Sequence, residues 1–130
     1  MSRSARLGGR PHTGRRAEDL AAAELERQGL RIVARNWRRH EGELDLVADD
    51  HGLCVFVEVR SRTGIEQGDP LESITPRKQA RVIRAARMFL DSEAALPATG
   101  YRFDVVGVTF FDDGREPELT YVPAAFEVSS

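Results

Sequence analysis

The sequence predicts a small α/β domain in which one helix precedes three strands and a second helix precedes at least one more, in the order α-β-β-β-α-β with an extra C-terminal strand in prospect. Apolar residues recur at helical spacing over 14–28 and again over 76–90. Between these segments lie three runs rich in β-branched residues, separated by short polar turns. At 130 residues, 41% hydrophobic and 31% charged, the chain can bury one core, and no apolar run approaches the ~20 residues of a membrane helix.

The opening stretch, MSRSARLGGRPHTGRR, carries Arg3, Arg6, Arg10, Arg15 and Arg16 and no acid. Residues 1–13 are therefore expected to form a mobile basic arm, either touching phosphates or simply solvated. From Gly14 to Gln28, Ala17, Leu20, Ala21 and Leu25 share one side of a helix, and Gly29 stops it. Glu18 sits at the margin of that side, while Glu24 falls within it and blurs the helix orientation.

LRIVARNWRR (30–39) reads as the first strand, ELDLVA as the second and LCVFVEVRS as the third, with HEG and DDHG as turns. If His51 and Gly52 form a two-residue hairpin loop, Val47 pairs with Phe56, Asp45 with Glu58 and Glu43 with Arg60, all on one face. A loop of odd length or a bulge breaks that register. RTGIEQGDPLES (62–73) has the glycine and polar content of a mobile loop. Thr75 and Pro76 read as cap and first-turn proline of the second helix, which presents Val82, Ile83, Ala86, Phe89 and Leu90 to the core. YRFDVVGVTFF (101–111) is a fourth strand and ELTYV (118–122) a fifth, leaving a domain over 14–122 and a tail over 123–130.

The acids on the second and third strands are the chemically telling feature, because burying an unpaired carboxylate costs several kcal/mol. Asp45 and Glu58 side by side offer oxygen ligands to Mg²⁺ or Mn²⁺, with the Arg60 cation two residues beyond on the same face. The plain alternative is a pair of strand acids facing water. Glu43 is either a further ligand or an ion-pair partner of Arg60 or Arg62. Arg77, Arg81 and Arg84 form a basic stripe that is either solvated or turned to nucleic acid. Trp37, among Asn36, Arg38 and Arg39, either stacks on an unpaired base or covers a sheet edge. Arg102 and Asp104 read as a structural ion pair. The lone Cys54 reads as a core residue and allows no intramolecular disulfide. His12, His40 and His51 show no metal-ligand spacing and are expected at the surface. With no apolar secretory core at the amino terminus, the expected compartment is the cytoplasm.

GELDLV, FVEVRSR, RKQARVIRAARMFL and YRFDVV, preceded by GRRAEDLAAAELERQGLRIVARNWR, resemble the bacterial YraN-like family, placed in the restriction-endonuclease-like superfamily near the archaeal Holliday-junction resolvases. The resemblance covers about residues 14–122. It implies a restriction-endonuclease-like core, a mixed β-sheet flanked by helices. It maps the PD-(D/E)xK pattern onto Asp45, Glu58 and position 60, and matches Glu18 to the helical glutamate of resolvase-like members. The implied activity is Mg²⁺- or Mn²⁺-dependent cleavage of structured or branched DNA, with Arg62, Arg77, Lys78, Arg81 and Arg84 toward the nucleic acid and a homodimer left open. Position 60 departs from the pattern, since Arg60 stands where the family usually has lysine, and arginine does not transfer protons at ordinary pH. Lys78 on the second helix is the only nearby lysine in sequence, read either as a substitute for the missing family lysine or as a structural or phosphate-contacting residue. Two other classes stay open: a binding module that hydrolyses nothing, and a protein-interaction subunit.

Overall fold

The computed structural model describes residues 3–40, 42–64 and 70–128, and side chains within 14–40, 42–64 and 72–128. Its elements are α1 (Arg3–Arg27), β1 (Arg31–Arg39), β2 (Gly42–Asp50), β3 (Leu53–Thr63), a 3₁₀ turn (Pro70–Ser73), α2 (Pro76–Leu90), β4 (Gly100–Phe110) and β5 (Glu118–Phe126). The five strands form one sheet in chain order. β3 and β4 run parallel, joined across α2, and every other neighbour is antiparallel. This is the α/β core with a mixed sheet that the sequence predicts, completed by the C-terminal strand.

The β2–β3 hairpin fixes the register. His51 and Gly52 both take positive φ, at 53° and 95°, the pairing of a two-residue type I′ turn whose twist matches the strands. Val47 therefore lies opposite Phe56, as expected, and Leu46 opposite Val57. α1 covers one sheet face, where Ala17, Ala21 and Leu25 pack with Leu46, Val57, Val106 and Val108. Small residues on the helix let it lie close to the strands. α2 covers the other face through Val82, Ala85, Ala86 and Phe89, against Val47, Phe56 and Phe103. Phe89 meets Trp37 and Phe56 edge-on at centroid distances of 5.3 and 5.9 Å. Each large side chain buried here contributes about 1.5–3 kcal/mol.

Both helices end as their sequences direct. Gly29, at φ 97°, takes the left-handed position after α1, and the Leu30 N–H reaches back to the Leu25 carbonyl at 3.0 Å. At α2, the Thr75 hydroxyl accepts the Lys78 N–H at 3.2 Å, with Pro76 in the first turn. α2 comes tight against Gly42: a Cβ there would lie 2.7 Å from the Ala85 Cβ and 2.9 Å from the Met88 Cε. Only glycine lets the helix sit down on the start of β2.

Three boundaries differ from the sequence reading. α1 starts at Arg3 rather than Gly14, so backbone expected in the arm continues the helix, although its side chains before Gly14, His12 included, lie outside the described residues. β5 continues through Phe126, whose ring stacks on Phe103 at 5.1 Å, and takes in part of the expected tail. The middle of the expected mobile loop, residues 65–69, lies outside the described residues, and its end forms the 3₁₀ turn. No described helix is long and apolar enough to cross a membrane.

Candidate metal and phosphodiester cleft

The sheet opens where the acids are. The β2–β3 ladder ends at Leu46 opposite Val57, one step before Asp45 would meet Glu58. On the other side, β1 sets Arg35 opposite Leu46 and Trp37 opposite Leu44, which puts Asn36 across from Asp45. Asn36 has φ 50°, a left-handed conformation that asparagine tolerates better than most residues. Leu46 packs with α1 whereas Leu44 packs with α2, so the side-chain alternation of β2 breaks at Asp45. The expectation of one continuous paired face over all six residues is corrected accordingly: the strands part at Asp45, and its carboxylate replaces a ladder bond by accepting the Val59 N–H at 2.9 Å.

The parted strands form one wall of a cleft of about 650 Å³. Glu43, Asp45, Glu58 and Arg60 line it from β2 and β3, Arg38 and Arg39 from the end of β1, His40 from the β1–β2 turn, and Lys78 and Arg81 from α2. Asp45 and Glu58 interact side chain to side chain. Burial pushes Asp45 up to about 6, against the pull of the Val59 N–H, with the charges of Glu18 and Glu43 adding to the rise. Burial, and then the Asp45 charge, push Glu58 up to about 8, opposed by Arg60. The Arg60 Nη1 lies 3.5 Å from the Glu58 carboxylate, and its Nε donates to the Ser73 hydroxyl at 3.1 Å. One guanidinium at that distance undercompensates two adjacent half-buried carboxylates.

The remaining expected residues divide. Glu18 raises the Asp45 pKa through its charge, but its carboxylate accepts the Asn36 side-chain amide at 2.8 Å and does not line the cleft. Glu43 pairs with Arg38 at 3.4 Å, not with Arg60 or Arg62. Among the described residues no three acids, histidines or cysteines come together as a ligand set, so the site is a carboxylate pair. Arg62 lies outside the cleft lining and donates to Thr109 on β4 at 3.2 Å. Of the expected basic stripe only Arg81 reaches the cleft. Arg77 and Arg84 are exposed elsewhere on α2, while Lys78, expected with them toward the nucleic acid, lines the cleft.

Trp37 offers no stacking platform. It is 8% exposed, its edge contact is Phe89, and the Arg39 guanidinium lies 4.4 Å over its ring. Cys54 is half-buried, and burial pushes its thiol up to about 11, so it stays protonated. His40 and His51 are exposed, as expected, although His40 also borders the cleft. Sequence reasoning missed Asn36, which faces Asp45 and holds Glu18. Its signal is an asparagine inside a strand otherwise made of apolar and basic residues.

Known proteins match this chain in sequence over most of its length. The profile described as "Uncharacterised protein family UPF0102" matches residues 17–108. A UPF0102 protein of Pseudomonas aeruginosa is 47% identical over 114 residues, covering 88% of this chain and 91% of that one. One from Anaeromyxobacter dehalogenans is 48% identical over 119 residues, 92% of this chain and 87% of its own. A third, from Chlorobaculum parvum, is 44% identical over 122 residues, 89% and 92% of the two chains. None of these descriptions names a reaction.

Proposed function

The chain belongs to the UPF0102, or YraN-like, family, and we propose that it is a metal-dependent nuclease hydrolysing phosphodiester bonds in structured or branched DNA. The observation that carries the reading is the Asp45–Glu58 pair, two half-buried carboxylates side by side in the cleft, whose raised pKa values mark a place short of positive charge. An all-oxygen pair open to a polar cleft suits Mg²⁺ or Mn²⁺, which take one or two carboxylates and keep several waters. Bound there, such an ion would supply Lewis acidity and a water of lowered pKa. The protein's own contribution is position and charge. The hairpin and the Val59 N–H fix Asp45. Arg60 is held by Glu58 and Ser73 at the cleft wall, within reach of a phosphate oxygen. Arg38, Arg39 and Arg81 surround the acids with cations suited to a polyanion. Asn36 keeps Glu18 behind Asp45.

A second reading, a nucleic-acid-binding module without hydrolysis, is favoured by Arg60 itself, since a guanidinium holds phosphate but does not move protons. Cleavage assays on duplex, single-stranded and four-way-junction DNA with Mg²⁺, Mn²⁺ or EDTA separate the two. Under the nuclease reading the wild type cuts only with metal, Asp45→Ala and Glu58→Ala fall to background, Arg60→Ala loses about 10²–10³ in rate, and Arg60→Lys keeps or gains activity. Salt-sensitive binding without cleavage, with Arg60→Lys restoring cleavage, selects the binding module. Absence of both binding and cleavage leaves a protein-interaction subunit.

A further inference from the structure

We propose that Lys78, on α2, is a catalytic residue of this cleft, the ammonium that protonates the departing oxygen of the cleaved phosphodiester. The inference rests on the nuclease reading and deepens it. Of the 19 lysines and arginines in the chain, Lys78 is the only lysine. A chain that uses arginine at every other Lys/Arg position, Arg60 included, keeps its one lysine at the cleft wall, where the exposed His40 is the other side chain able to give up a proton. Retention of charge alone does not account for that choice, because Arg38, Arg39, Arg60 and Arg81 already supply guanidinium groups to the same cleft.

The fold holds Lys78 without consuming its ammonium. Its backbone N–H is fixed by the Thr75 cap at 3.2 Å, which locks it in the first turn of α2. Gly42 lets that helix settle against the strand that carries Asp45. The side chain is half-buried, and among the described residues its ammonium makes no hydrogen bond or ion pair. Arg60, by contrast, is engaged by both Glu58 and Ser73. An ammonium donates a proton far more readily than a guanidinium, and general acid assistance is worth about 10²–10⁴ in rate. In the step, a water oxygen attacks phosphorus and the bond from phosphorus to the leaving oxygen breaks. That oxygen takes the Nζ proton of Lys78. The attacking water loses a proton to solvent, and solvent reprotonates the amine.

The test compares Lys78→Arg with the wild type on DNA and on bis(p-nitrophenyl) phosphate, whose phenolate departs without needing a proton. Lys78→Arg is expected to lose about 10² or more in kcat on DNA beyond any loss on the activated ester. Its affinity for DNA, measured by fluorescence anisotropy in EDTA, should stay within about threefold because the charge is kept. Equal losses on both substrates, or a rate loss matched by lost affinity, assign Lys78 to phosphate holding and overturn the proposal. A wild type that cleaves neither substrate with Mg²⁺ or Mn²⁺ overturns the nuclease reading and this inference with it. A wild type that cuts both, with a Lys78→Arg variant as fast on DNA, overturns only the inference.

Discussion

Two groups of acids lie in the same sheet and are treated in opposite ways. Asp104 on β4 is fully buried and satisfied: Arg102 donates to it through Nε at 2.8 Å and Nη2 at 3.1 Å, the Tyr121 hydroxyl at 2.5 Å, and the Ala124 N–H at 2.9 Å. Arg102 also reaches Asp50 at 3.2 Å, and the cluster ties β5 and the β2–β3 turn to β4. Asp45 and Glu58 are mostly buried too, but they face each other with one backbone N–H and one guanidinium at 3.5 Å for compensation. A buried acid with all its partners is architecture, and the ion pair read from Arg102 and Asp104 in the sequence is of this kind. A half-buried pair left short of positive charge stores unfavourable energy that a bound cation would relieve, which is what the proposed function requires of it.

Substitution should expose that contrast. Asp104→Ala strands the Arg102 guanidinium and the Ala124 N–H, so it is expected to cost about 3–5 kcal/mol in urea unfolding. Glu58→Gln is expected to stabilise the protein at pH 8 in EDTA, because it removes a charge that the fold disfavours. Should both substitutions destabilise equally, the two groups do the same job and the contrast fails.

The pH dependence follows from the same shifts. Both carboxylates have folded-state pKa values raised above the ordinary carboxylate range, so the folded state holds more protons than the unfolded chain. Their contribution is present below the unfolded pKa values near 4 and is lost as pH rises toward 8. In EDTA the wild type should lose roughly 2–4 kcal/mol between pH 5 and pH 8 from this pair, with a flatter profile in Glu58→Gln. A wild-type profile as flat as that of the variant would show that the pair is not under strain.

Smaller effects sharpen the geometry. Gly42→Ala forces its new Cβ into Ala85 and Met88, and is expected to cost about 1–3 kcal/mol and to slow cleavage by lifting α2 from the cleft. Smallest is the effect of outward charge. Arg84→Glu, on a residue exposed away from the cleft, should change the salt dependence of DNA binding less than Arg81→Glu, which lies on the cleft wall. Equal salt slopes would return the whole stripe to the binding surface.

What the sequence made legible is what local chemistry decides. The His51–Gly52 turn and the apolar alternation around it determine the hairpin register, and Thr75–Pro76 starts α2. The acids stand out because strands do not need them. The rest depends on tertiary packing. Which basic residues of α2 face the cleft follows from how the helix docks on Gly42 and, through Phe89, on Trp37 and Phe56, so Lys78 and Arg81 are chosen over Arg77 and Arg84 for reasons that lie outside the helix. Trp37 sits between arginines in the sequence yet is buried, because its ring packs in the cluster under α2 against Phe89, with Arg39 over it. The parting of β2 from β3 at Asp45 comes with the left-handed turn at Asn36 on the neighbouring strand, a backbone feature without apolar periodicity.

The central claim is that Asp45 and Glu58 together hold a divalent cation in place of the proton they otherwise share. Isothermal titration of the metal-free protein with Mn²⁺ at pH 7.5, repeated in two buffers of different ionisation enthalpy, tests it directly. The account predicts saturable binding with proton release, and no binding by the folded Asp45→Asn/Glu58→Gln double variant. A folded wild type that takes up no Mn²⁺ or Mg²⁺, or a double variant that binds as the wild type does, would contradict it.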